Sequence, residues 1–460
     1  MHVQTPAIDT QRATEQPKSF VPVHAPPISP PRSLTAMAVR RPLISASGDI
    51  AGFEFRVDGE ALRILKNSAD VHSISAYIAT VLIAARLMAL EGRIGFARLP
   101  AAWLVYAAVP KNEPGTWIGV EWDADERLEP DVQTAIAVAV AVQLFRDAGA
   151  KLAWSPSLDL GSADLLPDFL LLGPTASTIP SLLDTVKSSA PMLRSLPIIL
   201  TDIANVEDLE LALQSGVSYA CGVTAAVAPL PLPAAGRSGG DLTTPKGIGD
   251  AQPLPPEVSR VAQLLHQLSS SADTDLIISA IKGDIGLSFR LLQRINSASF
   301  AHLGAASSID QAVLMVGRNE LQRWLSLMLM QFTGTRKVAS ALQEIALWRS
   351  RLVELLAIEH DEAEPGQFFT LGLASMLGML LNVSMAEVVR ILCLPPFAAQ
   401  ALLEHTGPWH VYLRTAEQVE AQKMTEEQAV VDGFGGAVRV LELSNDAWNW
   451  AAANADRSKR

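Results

Sequence analysis

The stretch "KGDIGLSFRLLQRINSASF" (282–300) decides the fold of the second half of the chain. From Leu287 onward its apolar residues recur every three or four positions, which is the spacing of one face of an α-helix. Asp284 stands just before this run, where a carboxylate caps a helix start, and Asn296 follows it. The stretch therefore predicts a helix that begins after Asp284 and ends near Asn296.

Helical spacing continues on both sides of this stretch, and strand-like alternation is nearly absent from residue 254 to the end. Pro256 favours a helix start, Ser308 is placed to cap a further helix, and Gly317 suits a turn. These signals predict an all-α domain with closing helices over 254–453, followed by a short basic tail over 454–460.

The first half has a different pattern, in which short apolar runs alternate with longer helical ones. The predicted strands are "RPLISAS", "RIGFARL", "WIGVEWD", "KLAWS", "DFLLLG", "LPIILTD" and "YACGV". Strands that alternate with helices form a mostly parallel sheet, and this many units favours a (β/α) barrel over 37–225. Proline-rich residues 1–36 predict an extended or disordered tail, and the Pro/Gly-rich residues 226–253 predict a linker.

Composition excludes several classes of protein. The chain has 460 residues, two cysteines and a formal net charge of -12. Two cysteines cannot form a disulfide framework and fit a reduced cytosol. The chain lacks a basic stripe for nucleic acid and an apolar leader near its N-terminus. Its longest apolar runs are interrupted or short, which favours buried helices over membrane spans. We expect a cytoplasmic protein.

The segment "RRPLISASGDIAGFEFRV" (40–57) resembles the opening of the EAL family, the barrels that hydrolyse cyclic di-GMP. Glu54 falls on the signature glutamate of that family, and the resemblance continues in order to about residue 225. The resemblance implies a site in which several carboxylates and an asparagine hold two Mg²⁺ or Mn²⁺ ions. Those ions would bind the phosphate and generate hydroxide.

Most of the ligands that this resemblance implies are replaced. Glu121 matches a second glutamate of the family. The other positions hold Arg98 for asparagine, Ala124 for glutamate, Ser155 and Pro156 for an aspartate pair, Leu171 for lysine, Gly173 for aspartate, Thr201 and Ala204 for glutamates, and Cys221 for glutamine. We therefore expect a degenerate barrel with no catalytic, cofactor-binding or metal residues. Glu54 and Glu121 are then vestigial, and the favoured reading makes them polar residues at strand ends, hydrogen-bonded or solvated.

The opening stretch, together with "SSIDQAVLMVGRNELQRW" (307–324), resembles the HDOD domain, a catalytically silent relative of the HD phosphohydrolases. HD enzymes bind metal through a histidine on one helix and a His–Asp pair on a second. Ser350 stands at the position of the first histidine, and Ser375–Met376 in "FFTLGLASMLGMLL" (368–381) stand near that of the pair, after Ala374. The resemblance implies a helical domain that keeps the packing of an HD enzyme without its metal.

A literal His–Asp pair occurs elsewhere, at His360 and Asp361. It lies in the polar segment "AIEHDEAEPGQ", outside the helix where an HD enzyme has its ligands. We interpret the pair as part of a solvated loop rather than as a metal site.

Three functions are compatible with these patterns. The first is a non-enzymatic scaffold of bacterial signal transduction, linked to cyclic di-GMP, whose partners are other signalling proteins such as diguanylate cyclases or two-component proteins. The second is a receptor that binds cyclic di-GMP without hydrolysing it. The third is a residual phosphodiesterase. The sequence favours the first and leaves the oligomeric state open.

Overall fold

The computed structural model describes most of the chain from Val39 to Ser458. The described residues are 39–56, 70–109, 115–121, 132–155, 165–173, 179–188, 193–203, 205–222, 255–270, 272–296, 306, 308–330, 337–381, 383–392, 394–421, 429–430 and 432–458. The predicted tail (1–36), the predicted linker (226–253), Ala124, Pro156 and Ala204 lie outside the described residues.

Eight strands form a closed barrel in sequence order. They are β1 (Val39–Ser45), β2 (Ile50–Arg56), β3 (Ile94–Pro100), β4 (Thr116–Glu121), β5 (Lys151–Trp154), β6 (Phe169–Leu172), β7 (Ile198–Leu200) and β8 (Tyr219–Cys221). Strand β1 runs antiparallel to both of its neighbours, whereas all the other pairs are parallel. The predicted barrel is confirmed.

The interior of the barrel is filled by side chains. Phe96, Leu171 and Cys221 belong to a buried cluster that is separate from the main core. Gly119 makes room for this cluster, since a Cβ at that position would lie 2.7 Å from Cζ of Phe96. At the end where the parallel strands begin, the rings of Trp117 and Phe169 stack with their centroids 4.2 Å apart. The barrel is therefore a packed core and not a pore.

Five described helices accompany the strands. They are α1 (Val71–Leu90), α2 (Ala101–Leu104), α3 (Val132–Asp147), α4 (Ile179–Ser188) and α5 (Val206–Gln214). In the described part of the chain, α1 is the single helix long and apolar enough to cross a bilayer, a test that core helices also pass. It packs against β2 and β3, as the prediction of a buried helix requires. Gly216 takes a positive φ of 94° just after α5, which is typical of a glycine at a helix end.

The second half is helical throughout its described residues. Its helices are α6 (Pro256–Ser269), α7 (Thr274–Lys282), α8 (Ile285–Ile295), α9 (Ile309–Leu329), α10 (Ala339–Glu359), α11 (Pro365–Leu381), α12 (Met385–Leu392), α13 (Pro396–Leu403), α14 (His410–Glu420) and α15 (Ala437–Ser458). The predicted caps are confirmed. The Asp284 carboxylate accepts from the backbone N–H of Leu287 at 3.1 Å, and Ser308 accepts from that of Gln311 at 3.2 Å.

A break divides α9 into two segments at Gly317, where φ is 76° and ψ is 166°. The next residue, Arg318, extends its guanidinium to the end of α6. It donates to the carbonyl oxygens of Leu268, in the last turn of α6, at 3.0 Å and of Ala272, beyond that helix, at 2.8 Å. The residue after the break thus ties α9 to the end of α6.

Helix α15 joins the helical region to the barrel. The ring of Trp448 stacks on Trp348 of α10, with centroids 4.9 Å apart, and meets Phe53 of β2 edge-on, also at 4.9 Å. Arg93, which precedes β3, pairs with Glu344 of α10 at 2.7 Å. These contacts hold the two regions in one compact unit. Because α15 continues to Ser458, the residues assigned from the sequence to a basic tail begin as helix.

Replacement of Gly317 by alanine is expected to destabilise the protein by roughly 1–3 kcal/mol, because its backbone region is essentially restricted to glycine. A Cβ there would meet nothing within 4 Å, so the cost is purely conformational. Gly366→Ala is the matched control, since Gly366 lies in the first turn of α11 with equal space and an ordinary φ. Urea unfolding should show a loss for the first variant and a neutral or small stabilising effect for the second. Equal changes in the free energy of unfolding would contradict the inference that the backbone at Gly317 is restricted to glycine.

Candidate functional site: a charged cluster at the mouth of the barrel

Charged side chains gather where the parallel strands end, which is the face that carries the sites of barrel enzymes. Glu54 lies near the end of β2 and is fully buried. Arg98 lies near the end of β3, and Glu121 is the last residue of β4. Asp202 follows β7 after Thr201, with a positive φ of 57°. The end of each strand thus directs a charged group toward the barrel axis.

Arg98 lies at the centre of this group and contacts three carboxylates. Its Nη1 is 3.1 Å from Oε1 of Glu54, and its Nη2 is 2.8 Å from Oδ2 of Asp202. Its Nε lies 2.6 Å from Oε2 of Glu121. One guanidinium therefore contacts a carboxylate from β2, one from β4 and one from the residues after β7, each through a different nitrogen.

Two further arginines complete the arrangement. Arg41 of β1 donates from Nε to Oε2 of Glu54 at 2.5 Å, and its Nη1 lies 2.9 Å from Oδ1 of Asp202. Arg56 reaches the same Asp202 oxygen at 3.2 Å. We call these six residues the mouth cluster: Arg41, Glu54, Arg56, Arg98, Glu121 and Asp202. Its three arginines balance its three carboxylates in formal charge.

The cluster controls the ionisation of its members. Burial alone would raise the pKa of Glu54, but the charges of Arg41 and Arg98 outweigh it and lower that pKa. Burial opposes ionisation of Asp202 too, and the same two arginines lower its pKa. Burial would lower the pKa of Arg98, and the neighbouring carboxylates raise it instead. Glu54 and Asp202 are therefore carboxylates at neutral pH, each facing a permanent cation.

This geometry does not fit two divalent metal ions. The space between the three carboxylates holds the guanidinium of Arg98, whose charge would repel a metal. Within the part of the chain that the structure describes, no group of three or more His, Cys, Asp or Glu side chains is arranged to hold a metal. Cys221 offers no ligand either, because burial raises the pKa of its thiol.

The structure places the residues named from the sequence in different surroundings. Glu121 is the last residue of β4, and Glu54 lies near the end of β2 and is fully buried. Leu171 and Cys221 line the apolar interior of the barrel. The hydroxyl of Thr201 donates to the carbonyl oxygen of Leu172 at 3.2 Å.

Sequence reasoning did not identify Arg41, Arg56 or Asp202 as parts of the site. Arg41 shares a strand face with the inward-facing Leu43. Asp202 lies just beyond the apolar strand β7, which is the usual place for a functional side chain in a barrel. These two signals were available in the sequence, whereas the pairing of Arg41 with Glu54 and Asp202 needed the fold.

The helical region contains a second buried ion pair at the positions compared with HD enzymes. Arg349 of α10 is 1% exposed, pairs with Glu420 of α14, and donates to Oγ of Ser375 at 3.1 Å. Helices α10 and α11 approach so closely that a Cβ on Gly372 would lie 2.6 Å from Cα of Ser350. Ser350 donates to the carbonyl oxygen of Ala346 at 2.6 Å. The polar side chains of Arg349, Ser350 and Ser375 therefore take part in local packing and in one ion pair.

Exposed Asp361 and half-buried His360 lie in the turn that follows α10, and the histidine packs against neighbouring side chains. Its ring stacks on Phe434 with centroids 4.4 Å apart. Its Nδ1 lies 3.0 Å from the hydroxyl of Tyr412, which donates to Glu362 at 2.7 Å. Burial, followed by the bond to Glu362, raises the pKa of Tyr412. The histidine stabilises the end of α10 against α14.

The second half of the chain matches a known protein family. Residues 252–395 match the family model of the HDOD domain, so the chain joins an eight-stranded barrel to a helical HDOD region. The predicted mixed architecture is confirmed. Helices α13 to α15 lie almost wholly beyond the matched residues.

Particular relatives match parts of the chain. "Uncharacterized protein YuxH" of Bacillus subtilis is 29% identical over 163 residues, covering 35% of this chain and 40% of the relative. "Cyclic di-GMP phosphodiesterase CdgJ" of Vibrio cholerae is 31% identical over 138 residues, covering 30% and 32%. The chain thus matches less than half the length of each. A crystal structure of an EAL domain protein from Listeria monocytogenes aligns with a TM-score of 0.31 and 14% identity, covering 40% of this chain and 85% of that one.

Glu54→Gln is expected to destabilise the protein by about 3 kcal/mol, because it leaves Arg41 and Arg98 buried without their compensating charge. Glu121→Gln makes the same chemical change to a side chain that is 35% exposed, and it should cost less than about 1 kcal/mol. Urea unfolding at neutral pH measures both. If the two variants lost equal stability, Glu54 would not be the buried anchor of the mouth cluster.

Asp202→Asn should alter the pH dependence of stability. The folded pKa of Asp202 lies below its unfolded value, so the ionised side chain stabilises the protein above the unfolded pKa of about 3.9. That contribution is lost as the pH falls through the folded pKa. The difference in melting temperature between wild type and variant should be largest near neutral pH and should shrink below about pH 4. A difference in melting temperature that stays constant with pH would contradict the ion pairs that Asp202 forms in the folded state. Asparagine also tolerates the positive φ of this residue.

Proposed function

We propose that the chain is a non-enzymatic signal-transduction protein that acts as an interaction scaffold in cyclic di-GMP signalling. The observation that carries the proposal is the position of Arg98, whose guanidinium binds the three carboxylates at the mouth of the barrel. Hydrolysis of a phosphodiester by an EAL-type barrel needs these oxygens as metal ligands. Carboxylates already paired with a permanent cation are not available for that role.

The HDOD region supports the same proposal. Arg349 and Glu420 form a buried ion pair beside Ser375, where an HD enzyme would need histidine and aspartate. Two sites with unrelated folds therefore hold an arginine paired with carboxylate. The name of the Vibrio cholerae relative supports the link to cyclic di-GMP, and the resemblance of residues 40–57 to the EAL family supports it independently.

Exposed apolar side chains on the HDOD helices support a role in protein interaction. Phe289 of α8 is 66% exposed, and Leu314 of α9 is 69% exposed. A shallow groove between these helices is lined by side chains that include Leu291 and Trp324. Large apolar side chains at a surface are typical of sites that bind partners. We propose other signalling proteins, such as diguanylate cyclases or two-component proteins, as the partners.

A second function, binding of cyclic di-GMP without hydrolysis, is favoured by Arg56. Its side chain is 30% exposed at the rim of the mouth cluster and contacts only one oxygen there, that of Asp202. A phosphate could approach the exposed edge of this guanidinium. The balanced charge of the whole cluster makes it a weak site for a dianionic ligand, so we place this function second.

Purified full-length protein should release no linear dinucleotide from cyclic di-GMP in the presence of Mg²⁺ or Mn²⁺, because Arg98 occupies the space between the carboxylates. Chromatography of the nucleotides checks this against a blank without protein. Metal-dependent hydrolysis that disappears in Glu121→Gln would overturn the proposal and establish a residual phosphodiesterase.

Calorimetry with cyclic di-GMP separates the two functions. If the chain acts as a scaffold that does not bind the nucleotide, no heat of binding should be measured at micromolar cyclic di-GMP. Micromolar binding that Arg56→Ala abolishes, while the exposed Arg260→Ala leaves it intact, would favour the receptor.

A direct binding assay tests the scaffold. The purified chain should bind a candidate diguanylate cyclase, and Leu314→Glu should weaken that binding.

A further inference from the structure

Helix α3 carries an uncharged stripe on its outer face. The exposed residues of this stripe are Gln133, Ile136, Ala137, Val140, Gln143 and Leu144. Ile136, Val140 and Leu144 are 58%, 55% and 50% exposed, while Val138 and Phe145 on the opposite face are fully buried. A surface helix of a globular protein normally has a charged or polar outer face. Helix α3 is apolar on both sides.

The barrel does not impose this composition. Helix α5 packs on the same barrel, and its exposed residues are Glu207, Leu211 and Gln214. In α3 the first charged residue is Arg146, in the last turn. Unlike α5, α3 therefore exposes no charged side chain before its last turn.

The stripe is symmetric about Val140. Ile136 and Leu144 lie four residues to either side, and Gln133 and Asp147 lie seven to either side. Two α3 helices that cross antiparallel at Val140 would pack each Ile136 against the Leu144 of the other copy. Each Gln133 amide would meet an Asp147 carboxylate. The two Asp147 side chains would lie about 21 Å apart along the helix axis, so like charges would not face each other.

The lack of charge on the stripe is compatible with a second copy as the occupant. The chain carries a net charge of -12, and another copy carries the same, so overall charge opposes association. The uncharged stripe adds no local repulsion between like charges to that cost. A strongly charged partner would be recognised through charged residues around the stripe, and between Gln133 and Leu144 there are none.

We propose that α3 is the interface of a homodimer, in which two copies pack their stripes antiparallel across a two-fold axis at Val140. Such an interface is isologous, because the same patch serves both copies. One pair of helices buries less than the roughly 1,200–2,000 Å² of a standard interface, so the dimer is weak and depends on concentration. This proposal does not depend on the proposed function.

Analytical ultracentrifugation of the full chain tests the proposal over concentrations up to about 100 μM, which detect a dissociation constant of that order. Wild type should shift from monomer to dimer as the concentration rises. Val140→Glu should remain monomeric at every concentration, because it places two carboxylates at the axis. Leu314→Glu, the same kind of change at an exposed residue on α9, should dimerise like wild type.

A charge-pair experiment tests the axis itself. Val140→Glu and Val140→Lys should each be monomeric alone and should dimerise when mixed, since the two side chains meet only if Val140 faces Val140. Equal melting temperatures of the variants and wild type exclude misfolding as the cause of monomers. Leu144→Glu repeats the test at a second exposed position.

Two results would overturn the proposal. The first is a wild-type chain that stays monomeric up to about 100 μM. The second is a wild-type dimer that Val140→Glu leaves intact or that the mixed variants fail to restore. In either case α3 would not be the contact between copies.

Discussion

The carboxylate of Glu54 imposes the strongest constraint on the barrel. It lies near the end of β2 with no exposed surface, where an unpaired charge would cost several kcal/mol. Arg41 and Arg98 offset that cost from the two neighbouring strands. Because both arginines also bind Asp202, the charge of one glutamate fixes the relative positions of β1, β2, β3 and the end of β7.

Under the proposed function, the same solution occurs in both halves of the chain. A guanidinium in the barrel and another in the helical region hold carboxylates where related enzymes would need metal ligands. The two cations differ in a physical respect. A metal ion dissociates, and its site changes shape and charge with occupancy, whereas arginine stays charged and covalently attached. Such a site has one state, which suits a rigid binding surface.

Local features of the fold could be predicted from the sequence, and distant pairings could not. Asp284, Ser308 and Gly317 act on backbone within a few residues, so their roles follow from the sequence around them. The pairing of Arg41 with Asp202 spans 161 residues, and only the closed barrel brings them together. The contact of His360 with Tyr412 could not be predicted for the same reason, since the two residues lie 52 positions apart.

The position of α15 has a consequence for biosynthesis. Trp448 covers Phe53 of β2, yet it is translated 395 residues later. At ribosomal rates of about 5–20 residues per second, that separation is roughly 20–80 seconds. The barrel closes only after β8 (Tyr219–Cys221) has been made, so during the later part of this time it presents Phe53 uncovered beside Arg40. Chaperones that shield apolar surface have their longest opportunity there, and the nascent chain is most prone to aggregate before its last long helix emerges.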